Sequence, residues 1–340
     1  MRDEWLLSGE FARERMNGLG GKTIPFLFIL NFDCSQGIVE PLTKIKERLF
    51  FNVNGIKNDP AGPVQVPDTF VFRKYPMAFD IYSSAFAKAQ QSLRKGDSYL
   101  INLTFPTPVE TDLSLIDIYY LSAAKYKLYL PGWFVVFSPE TFVRIQGGGI
   151  WSHPMKGTID AAIPNAREKI LENPKELAEH VTIVDLIRND MSMIAREVAV
   201  ERFRYIDLIR TRDKNLLQVS SQIRGTLDAD YCRKIGDIIF AMMPAGSVTG
   251  APKAKTVEII RSIEGYERGF YTGVFGIFDG KNLDSAVMIR FIEKSENDLF
   301  FKSGGGITVY SNVEEEYQEL IDKVYAPIVG NYKSVERPVM

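Results

Sequence analysis

The 340-residue sequence predicts an α+β layered fold with largely antiparallel β-sheets. Apolar, aromatic-rich runs bounded by turn residues outnumber the segments with helical periodicity. The helical segments come in blocks, whereas a doubly wound parallel fold would alternate them with strands. Because no linker rich in Pro, Gly or Ser divides the chain, we predict one domain over 1–340. Within it, 1–90 is a short N-terminal part of the same fold and 91–330 is the core that carries the motifs.

The predicted strands of the first half are four apolar segments. "IPFLFILNFD" (24–33), "DSYLINLTFPTPVE" (97–110) and "KLYLPGWFVVFSPE" (127–140) are rich in β-branched or aromatic residues and end in turn residues. "TFVRIQGGGIWSHPMKG" (141–157) predicts a hairpin that turns at the glycines 147–149.

The second half opens with a helical pattern from Ala166 to about Arg196, where apolar residues recur at spacings of three or four. The remaining predicted elements are strands at 200–209 and 216–227, helices at about 229–243 and 252–264, strands at 269–280, 284–294 and 298–310, and a helix from about Val313.

Composition excludes several classes of protein. A formal net charge of -2 gives no basic field for nucleic acid or an anionic membrane, and the apolar runs are too short to cross a bilayer. The charged N-terminus has no signal-peptide core, so we expect a cytoplasmic protein. Cys34, Cys232, His153 and His180 are the only cysteines and histidines, which leaves carboxylates as the ligands for any metal.

Acidic residues fall on one face of two predicted helices. Glu179 shares a face with Ile183 and Asp190, and Glu316, Glu319 and Lys323 are spaced i, i+3 and i+7. Two such faces could supply oxygen ligands to Mg²⁺. The alternative is an ordinary surface stripe, with acidic residues that stabilise the helix dipole and with a Ser311–Glu314 capping box.

Three further segments suit the binding of a small carboxylate. "GSVTGAPK" lacks the spacing of a nucleotide phosphate loop but offers Ser247 or Thr249 as a helix cap with free N–H groups behind it. "KSGGGIT" brings the backbone amides of residues 304–306 close to a ligand. Arg290, an isolated charge in the apolar strand "VMIRF", is either a carboxylate clamp or an edge-strand surface residue.

Lys156 stands between Pro154-Met155 and Gly157-Thr158 in "HPMKGTID". Three interpretations are open: a surface turn, a phosphate contact or a nucleophile. An ordinary lysine is protonated at neutral pH, and burial would lower its pKa. The apolar residues before it are compatible with burial.

The motifs together resemble those of the chorismate-utilising enzymes, which include anthranilate, aminodeoxychorismate, isochorismate and salicylate synthases. The matching blocks run in family order from about residue 90 to 330. They are "PMKGT", "AEHVTIVDLIRND", "GSVTGAPKAKTVEII", "IEGYERGFYTGVFG", "SAVMIR" and "SGGGITVYSNVEEEYQELIDK".

This resemblance implies a fold of two packed β-sheets flanked by helices, with the active site between them, and a set of residue roles. Mg²⁺ would be held by Glu179 and Glu319, with Glu316 nearby, and would bind the ring carboxylate of chorismate. Tyr271, Arg290 and the amides of Gly304, Gly305 and Gly306 would bind the enolpyruvyl carboxylate. His180 would lie near the leaving hydroxyl, Lys323 would support the metal carboxylates, and Thr249 would line the ring pocket.

Lys156 indicates which branch of the family the chain resembles most. Anthranilate enzymes usually carry Ala at this position, whereas aminodeoxychorismate component I enzymes carry Lys. In that branch the lysine attacks C2 of chorismate and ammonia then enters at C4, with a glutamate as general acid and base. Glu140 lies sixteen residues before Lys156, as the branch requires. The expected product is 4-amino-4-deoxychorismate, a 4-aminobenzoate and folate precursor. The alternatives are anthranilate synthase component I and a catalytically silent chorismate-binding protein.

Two further expectations concern the nucleophile that enters at C4. Isochorismate and salicylate synthases use a lysine to activate water where this chain has Leu100, which argues against water. Neither Cys34 nor Cys232 is flanked by glycine as a glutaminase nucleophile requires. We therefore expect ammonia from a partner glutamine amidotransferase subunit.

Overall fold

The computed structural model describes residues 5–45, 48–59, 69–210, 215–325, 328 and 333–334. The helices are α1 (Gly9–Gly21), α2 (Leu42–Ile45), α3 (Phe79–Lys95), α4 (Leu115–Leu121), α5 (Ala166–Glu172), α6 (Pro174–Ser192), α7 (Ile235–Met242), α8 (Lys253–Glu264) and α9 (Val313–Asp322), with 3₁₀ turns at Tyr231–Lys234 and Gly246–Val248.

The strands are numbered along the chain. They are β1 (Leu7–Ser8), β2 (Phe26–Leu30), β3 (Gln36–Pro41), β4 (Phe50–Val53), β5 (Ile56–Lys57), β6 (Thr69–Phe70), β7 (Phe72–Lys74), β8 (Leu100–Thr111), β9 (Tyr126–Leu130), β10 (Phe134–Ser138), β11 (Thr141–Gln146), β12 (Gly149–Ser152), β13 (Met155–Asp160), β14 (Arg196–Arg210), β15 (Asn215–Thr226), β16 (Gly250–Ala251), β17 (Val274–Phe278), β18 (Leu283–Val287), β19 (Phe291–Ser295), β20 (Asp298–Ile307) and β21 (Lys333–Ser334).

Two large sheets organise the described part of the chain, and all their pairings there are antiparallel. The first has the order β1-β3-β2-β17-β18-β11-β12-β15-β13, with β14 also paired to β15. The second has the order β16-β8-β20-β19-β10-β9-β4-β5, with β7 also paired to β8. The predicted α+β class with antiparallel sheets is confirmed.

Strand β2 shows how the sequence builds the core. All five residues of "FLFIL" are buried, and their side chains alternate between the two faces of the first sheet. Leu27 and Ile29 pack in one core cluster with Leu128 and Phe134 of the second sheet. Burial of each such side chain contributes about 1.5–3 kcal/mol, so the core between the sheets is a main source of stability.

Two apolar runs that look continuous in the sequence are each divided in the structure. Residues 127–140 form the hairpin β9–β10, which turns at Gly132 with a φ of 68°. Residues 284–294 divide into β18 and β19, which belong to different sheets, and Arg290 lies between them with a φ of 55°. The prediction that Arg290 lies within a strand is therefore wrong. Both halves are buried, so the hydrophobic pattern carries no sign of the break.

The predicted helix from Ala166 divides into α5 and α6 at Asn173. The Asn173 side chain accepts a hydrogen bond from Glu176 N at 3.1 Å, and Pro174 follows as the first residue of α6. This is a common start of a helix, because the N–H of the first helical residue has no partner within the helix and proline loses nothing by lacking it. None of the described helices is both long enough and apolar enough to cross a membrane.

Candidate active site

The predicted site residues come from elements far apart in the sequence, and several meet at β20. The Lys156 ammonium on β13 contacts Glu179 Oε1 on α6 at 2.6 Å. The carboxylate of Glu179 in turn lies against Gly306 on β20, where a Cβ atom would overlap Glu179 Oε1. The Lys323 ammonium, just after α9, donates to Gly304 O at 2.7 Å.

Lys156 lies in a strand and not in a surface turn. Strand β13 pairs with β15, and the register shifts between Lys156 and Thr158 because Gly157 adopts a φ of 75°. Such a bulge redirects the neighbouring side chain. The Lys156 side chain is 17% exposed and the partner Glu179 side chain 8%.

The electrostatic expectation for Lys156 needs a correction. Burial lowers the pKa of Lys156, as expected, but the carboxylates of Glu179, Glu140 and Glu319 outweigh that effect and raise the pKa overall. Opposite charges within a few ångströms favour the charged form. In this arrangement Lys156 is an ammonium paired with Glu179.

Glu140 follows β10 and faces the same cluster. Ser247 Oγ donates a close hydrogen bond to Glu140 Oε1. Burial raises the pKa of Glu140, although the Ser247 hydroxyl and the Lys156 charge act in the opposite direction. A raised pKa favours the protonated carboxyl group that a general acid needs.

His180 is buried on α6 beside β15. Its Nε2 lies 2.6 Å from Ser221 Oγ, and within the described ranges its Nδ1 has no hydrogen-bond partner. Burial, together with the Arg204 and Lys156 charges, lowers the pKa of His180 to about 4. The imidazole is therefore neutral at pH 7.

The acidic residues of α9 are paired with lysines. Glu316 Oε1 lies 2.6 Å from Lys175 Nζ, and Glu319 Oε1 lies 2.7 Å from Lys323 Nζ. Burial raises the pKa of Glu316 despite Lys175. For Glu319, burial is outweighed by Lys323 and Lys175, which lower its pKa to about 2.

The three predicted metal ligands offer hard oxygen donors, which is the chemistry that Mg²⁺ prefers. The missing side chain of Gly305 leaves room beside these carboxylates, since a Cβ there would lie 3.2 Å from Glu316 Oε2 and 3.6 Å from Glu319 Oε1. The charges of Glu179, Glu316 and Glu319 all act on Lys175, so the three carboxylates lie in one electrostatic neighbourhood. Within the described ranges, no three His, Cys, Asp or Glu side chains converge closely enough to hold a metal ion. The magnesium site stays a prediction.

The glycines of β20 have one free edge. Strand β8 pairs with Gly304–Gly306 on one side, while β19 pairs with β20 only as far as Phe291 and Lys302. No described strand continues that second side along the glycines. Arg290 directly precedes Phe291, and its Nε donates to Tyr325 Oη at 3.3 Å. Arg290 therefore lies at the end of β19, where the second edge of β20 becomes free.

The other predicted binding residues are buried. Tyr271 is 3% exposed, packs edge-on against Phe291, and has its pKa raised by burial. Thr249 is fully buried, and its hydroxyl donates to Ala245 O at 2.8 Å.

Two helix-capping expectations are wrong. Helix α8 has Pro252 at its N-cap and no side-chain cap, because Thr249 and Ser247 use their hydroxyls on Ala245 and Glu140. Helix α9 is capped by Asn312, whose Oδ1 accepts from the backbone N–H groups of residues 314 and 315.

Some residues of the site were missed in the sequence. Lys175 and Ser221 contact Glu316 and His180 respectively, and no motif singled them out. Arg268 and Glu264 form a buried ion pair at 2.6 Å, and Arg268 also donates to the backbone of the site. The only sequence signal for Arg268 was its place inside the block "IEGYERGFYTGVFG".

Comparison with known proteins places the chain in a family. Residues 38–328 match the chorismate binding enzymes, and the chain belongs to that family. A PabA-like protein of Haemophilus influenzae, itself uncharacterized, is 47% identical over 93% of this chain and 96% of its own length. Aminodeoxychorismate synthase component 1 of Bacillus subtilis is 31% identical over 76% of this chain and 57% of its own. The solved anthranilate synthase component I of Streptococcus pneumoniae is 26% identical, with a TM-score of 0.63 over 75% of this chain and 58% of its own.

Proposed function

We propose that this chain is an aminodeoxychorismate synthase component I, which converts chorismate and ammonia to 4-amino-4-deoxychorismate and water. The observation that carries the proposal is Lys156, a largely buried lysine on a strand bulge, close to the carboxylates of Glu140 and Glu179. A lysine in this setting is an amine that the protein can aim at a substrate. The Bacillus subtilis enzyme is a relative in that branch, and anthranilate synthase component 1 of Acetivibrio thermocellus is similar to the same degree, so the choice of branch rests on Lys156.

The chemistry uses the lysine twice. The neutral amine of Lys156 attacks C2 of chorismate, and the C4 hydroxyl leaves as water with the proton that Glu140 supplies. Ammonia then attacks C4, its extra proton returns to the Glu140 carboxylate, and the bond between Lys156 and C2 breaks. The free chain pairs the Lys156 ammonium with Glu179, so that contact has to open and the ammonium has to release its proton to solvent before the attack.

The remaining residues bind the substrate and orient it. The neutral imidazole of His180 would lie near the leaving hydroxyl, where an uncharged group adds no second cation to the Lys156 site. Arg290 and the free edge of Gly304–Gly306 would bind the enolpyruvyl carboxylate together with Tyr271. A guanidinium and backbone amides are the groups that bind carboxylates best.

The remaining assignments concern the ring and the metal. Thr249 would line the ring pocket, and Lys323 would support the metal carboxylates. Glu179 and Glu319 would hold Mg²⁺, with Glu316 nearby. When bound, the ion would neutralise the ring carboxylate of the substrate, which otherwise meets these glutamates.

Ammonia is the proposed nucleophile at C4, supplied by a glutamine amidotransferase partner. Leu100 is 1% exposed, and its Cδ1 lies 3.2 Å from where a Cβ on Gly306 would be, beside Glu179. An apolar side chain there has no group that could deprotonate water. This supports amination over hydration.

Product identification tests the proposal. The purified chain is incubated with chorismate, Mg²⁺ and an ammonium salt, and products are separated by liquid chromatography with mass detection. We expect 4-amino-4-deoxychorismate without release of pyruvate. Anthranilate with pyruvate would instead identify an anthranilate synthase component I, which the Streptococcus pneumoniae structure makes the second candidate. No turnover at all would support a silent chorismate-binding protein.

A further inference from the structure

Lys253 connects the two ends of the segment between α7 and α8. Lys253 Nζ donates to Met242 O at 2.8 Å and to Asp190 Oδ2 at 2.7 Å. Because Met242 ends α7 and Lys253 begins α8, these two bonds hold both ends of the segment 243–252 against α6. The lysine of "GAPK" is thus used inside the protein and is not presented to a ligand.

Other contacts fix the middle of the segment. Thr249 Oγ1 donates to Ala245 O at 2.8 Å, and Arg268 Nη1 donates to Val248 O at 2.8 Å. Gly246 packs directly on α6, where a Cβ would lie 2.8 Å from Leu186 Cδ2. The position of the residue between Gly246 and Val248 is therefore determined by its surroundings.

That residue is Ser247, and it holds Glu140. Its hydroxyl donates to Glu140 Oε1, and both side chains line a small cavity that is otherwise walled partly by Phe142, Ile187 and Val287. The apolar wall removes solvent from one side of the carboxyl, and burial raises the pKa of Glu140 while the Ser247 hydrogen bond opposes the rise.

We propose that Ser247 is a positioning residue for Glu140 and that the Lys253–Asp190 ion pair is the clamp that keeps Ser247 within reach. The inference rests on the proposed function, in which Glu140 is the general acid and base. By donating to one carboxyl oxygen, Ser247 fixes the orientation of the group and leaves the other oxygen to exchange a proton with the reactants. It also favours the carboxylate form, which limits how far burial can raise the pKa.

Glu140 has other charged or titratable neighbours, and these stay unchanged when Ser247 is replaced. They are Lys156, Arg290, Lys323, Tyr271 and, across the shared cavity, Asp190. Substitution of Ser247 therefore removes one hydrogen bond and no charge.

The test measures the protonation of Glu140 in the substrate-free protein. Infrared difference spectra against Glu140→Gln isolate the carboxyl band, whose pH midpoint is then compared between variants. Ser247→Ala is expected to raise the midpoint by about one pH unit, since a hydrogen bond to a charged group is lost. Ser247→Thr keeps a hydroxyl and is expected to restore the wild-type midpoint.

The clamp is tested with the double variant Asp190→Asn, Lys253→Met, which leaves no unpaired buried charge. It should move the midpoint in the same direction as Ser247→Ala. Lys255→Met is the matched control, because Lys255 is exposed and its ion pair is with the exposed Glu258. It should leave the midpoint unchanged.

Activity supplies the second measurement. At a fixed concentration of neutral ammonia, Ser247→Ala should lower kcat/KM for chorismate about 10-fold. It should also move the basic limb of the pH profile to higher pH. Ser247→Thr should largely restore both. An unchanged infrared midpoint in Ser247→Ala, or an equal loss in both variants, would overturn the inference. Infrared shifts as expected in a protein that makes no aminodeoxychorismate would support the Ser247–Glu140 coupling and refute the proposed function.

Discussion

Lys156 has two roles that mutagenesis can separate: it is the counter-ion of Glu179 and the proposed nucleophile. Lys156→Ala leaves the Glu179 carboxylate, 8% exposed, without its partner. Loss of one member of a buried ion pair costs about 3–5 kcal/mol. A chain of this length unfolds with an entropy of about 0.7 kcal/mol/K, so the melting temperature should fall by about 4–7 °C. An inactive alanine variant alone would therefore be ambiguous.

Lys156→Arg removes the ambiguity. The guanidinium keeps the charge that Glu179 needs, yet it stays protonated and is not a nucleophile. We expect the arginine variant to keep most of the wild-type melting temperature. Both variants should lower aminodeoxychorismate formation by about three orders of magnitude or more. A residual rate by direct addition of ammonia is expected, because positioning of the substrate remains.

The assay combines thermal unfolding with product formation under saturating chorismate and ammonium. Mass spectrometry of wild-type protein given chorismate without ammonia should show an adduct on Lys156. A wild-type rate in Lys156→Arg would mean that the residue is only a counter-ion. An adduct mapped to another lysine would show that the nucleophile has been misassigned.

Three other outcomes are expected. Glu179→Ala and Glu319→Ala should each abolish turnover, and excess chelator should do the same to wild type if Mg²⁺ neutralises the substrate carboxylate; full activity in chelator would exclude the metal. The purified chain should use ammonium salts, faster as pH approaches the ammonia pKa, but glutamine only after an amidotransferase subunit is added; glutamine turnover by the chain alone would contradict this. The pKa of His180 is about 4 when folded and 6.5 unfolded, so its contribution of about 3 kcal/mol is present above pH 6.5 and lost as pH falls through 4. Chemical unfolding at pH 7 and 4 should show a smaller loss in His180→Gln than in wild type.

The order of strands and helices could be predicted because alternation and helical periodicity are local signals. The buried strand β2 and the amphipathic start of α9 are read directly from neighbouring residues. The break at Arg290 could not be predicted, because β18 and β19 are both apolar and the chain changes sheets between them. Which sheet a strand joins depends on partners distant in the sequence.

The candidate site, too, could be predicted only in part. Family motifs indicated which residues to examine, and the structure brings Lys156, Glu179 and Gly306 together. The pairing of Lys156 with Glu179 reverses the expected direction of the lysine pKa, and the sequence offers no sign of it. The contact of Ser247 with Glu140 joins residues more than a hundred positions apart, so its existence depends on tertiary packing alone.

Charge balance gives the physical reason to expect a cation in this site. Three lysines pair with three glutamates around the β20 glycines; the pairs are Lys156–Glu179, Lys175–Glu316 and Lys323–Glu319. With Glu140 protonated, as its proposed role of general acid requires, Arg290 adds one further positive charge among the described residues of the proposed substrate site. Chorismate brings two carboxylates, so its binding would leave one negative charge uncompensated in a partly buried site, which is costly. A divalent cation beside Glu179 and Glu319 would remove that cost and would release Lys156 from Glu179. If so, Mg²⁺ and chorismate should each bind more tightly in the presence of the other, which isothermal titration calorimetry with either ligand fixed would measure. Equal affinities with and without the second ligand would show that the lysines alone balance the substrate.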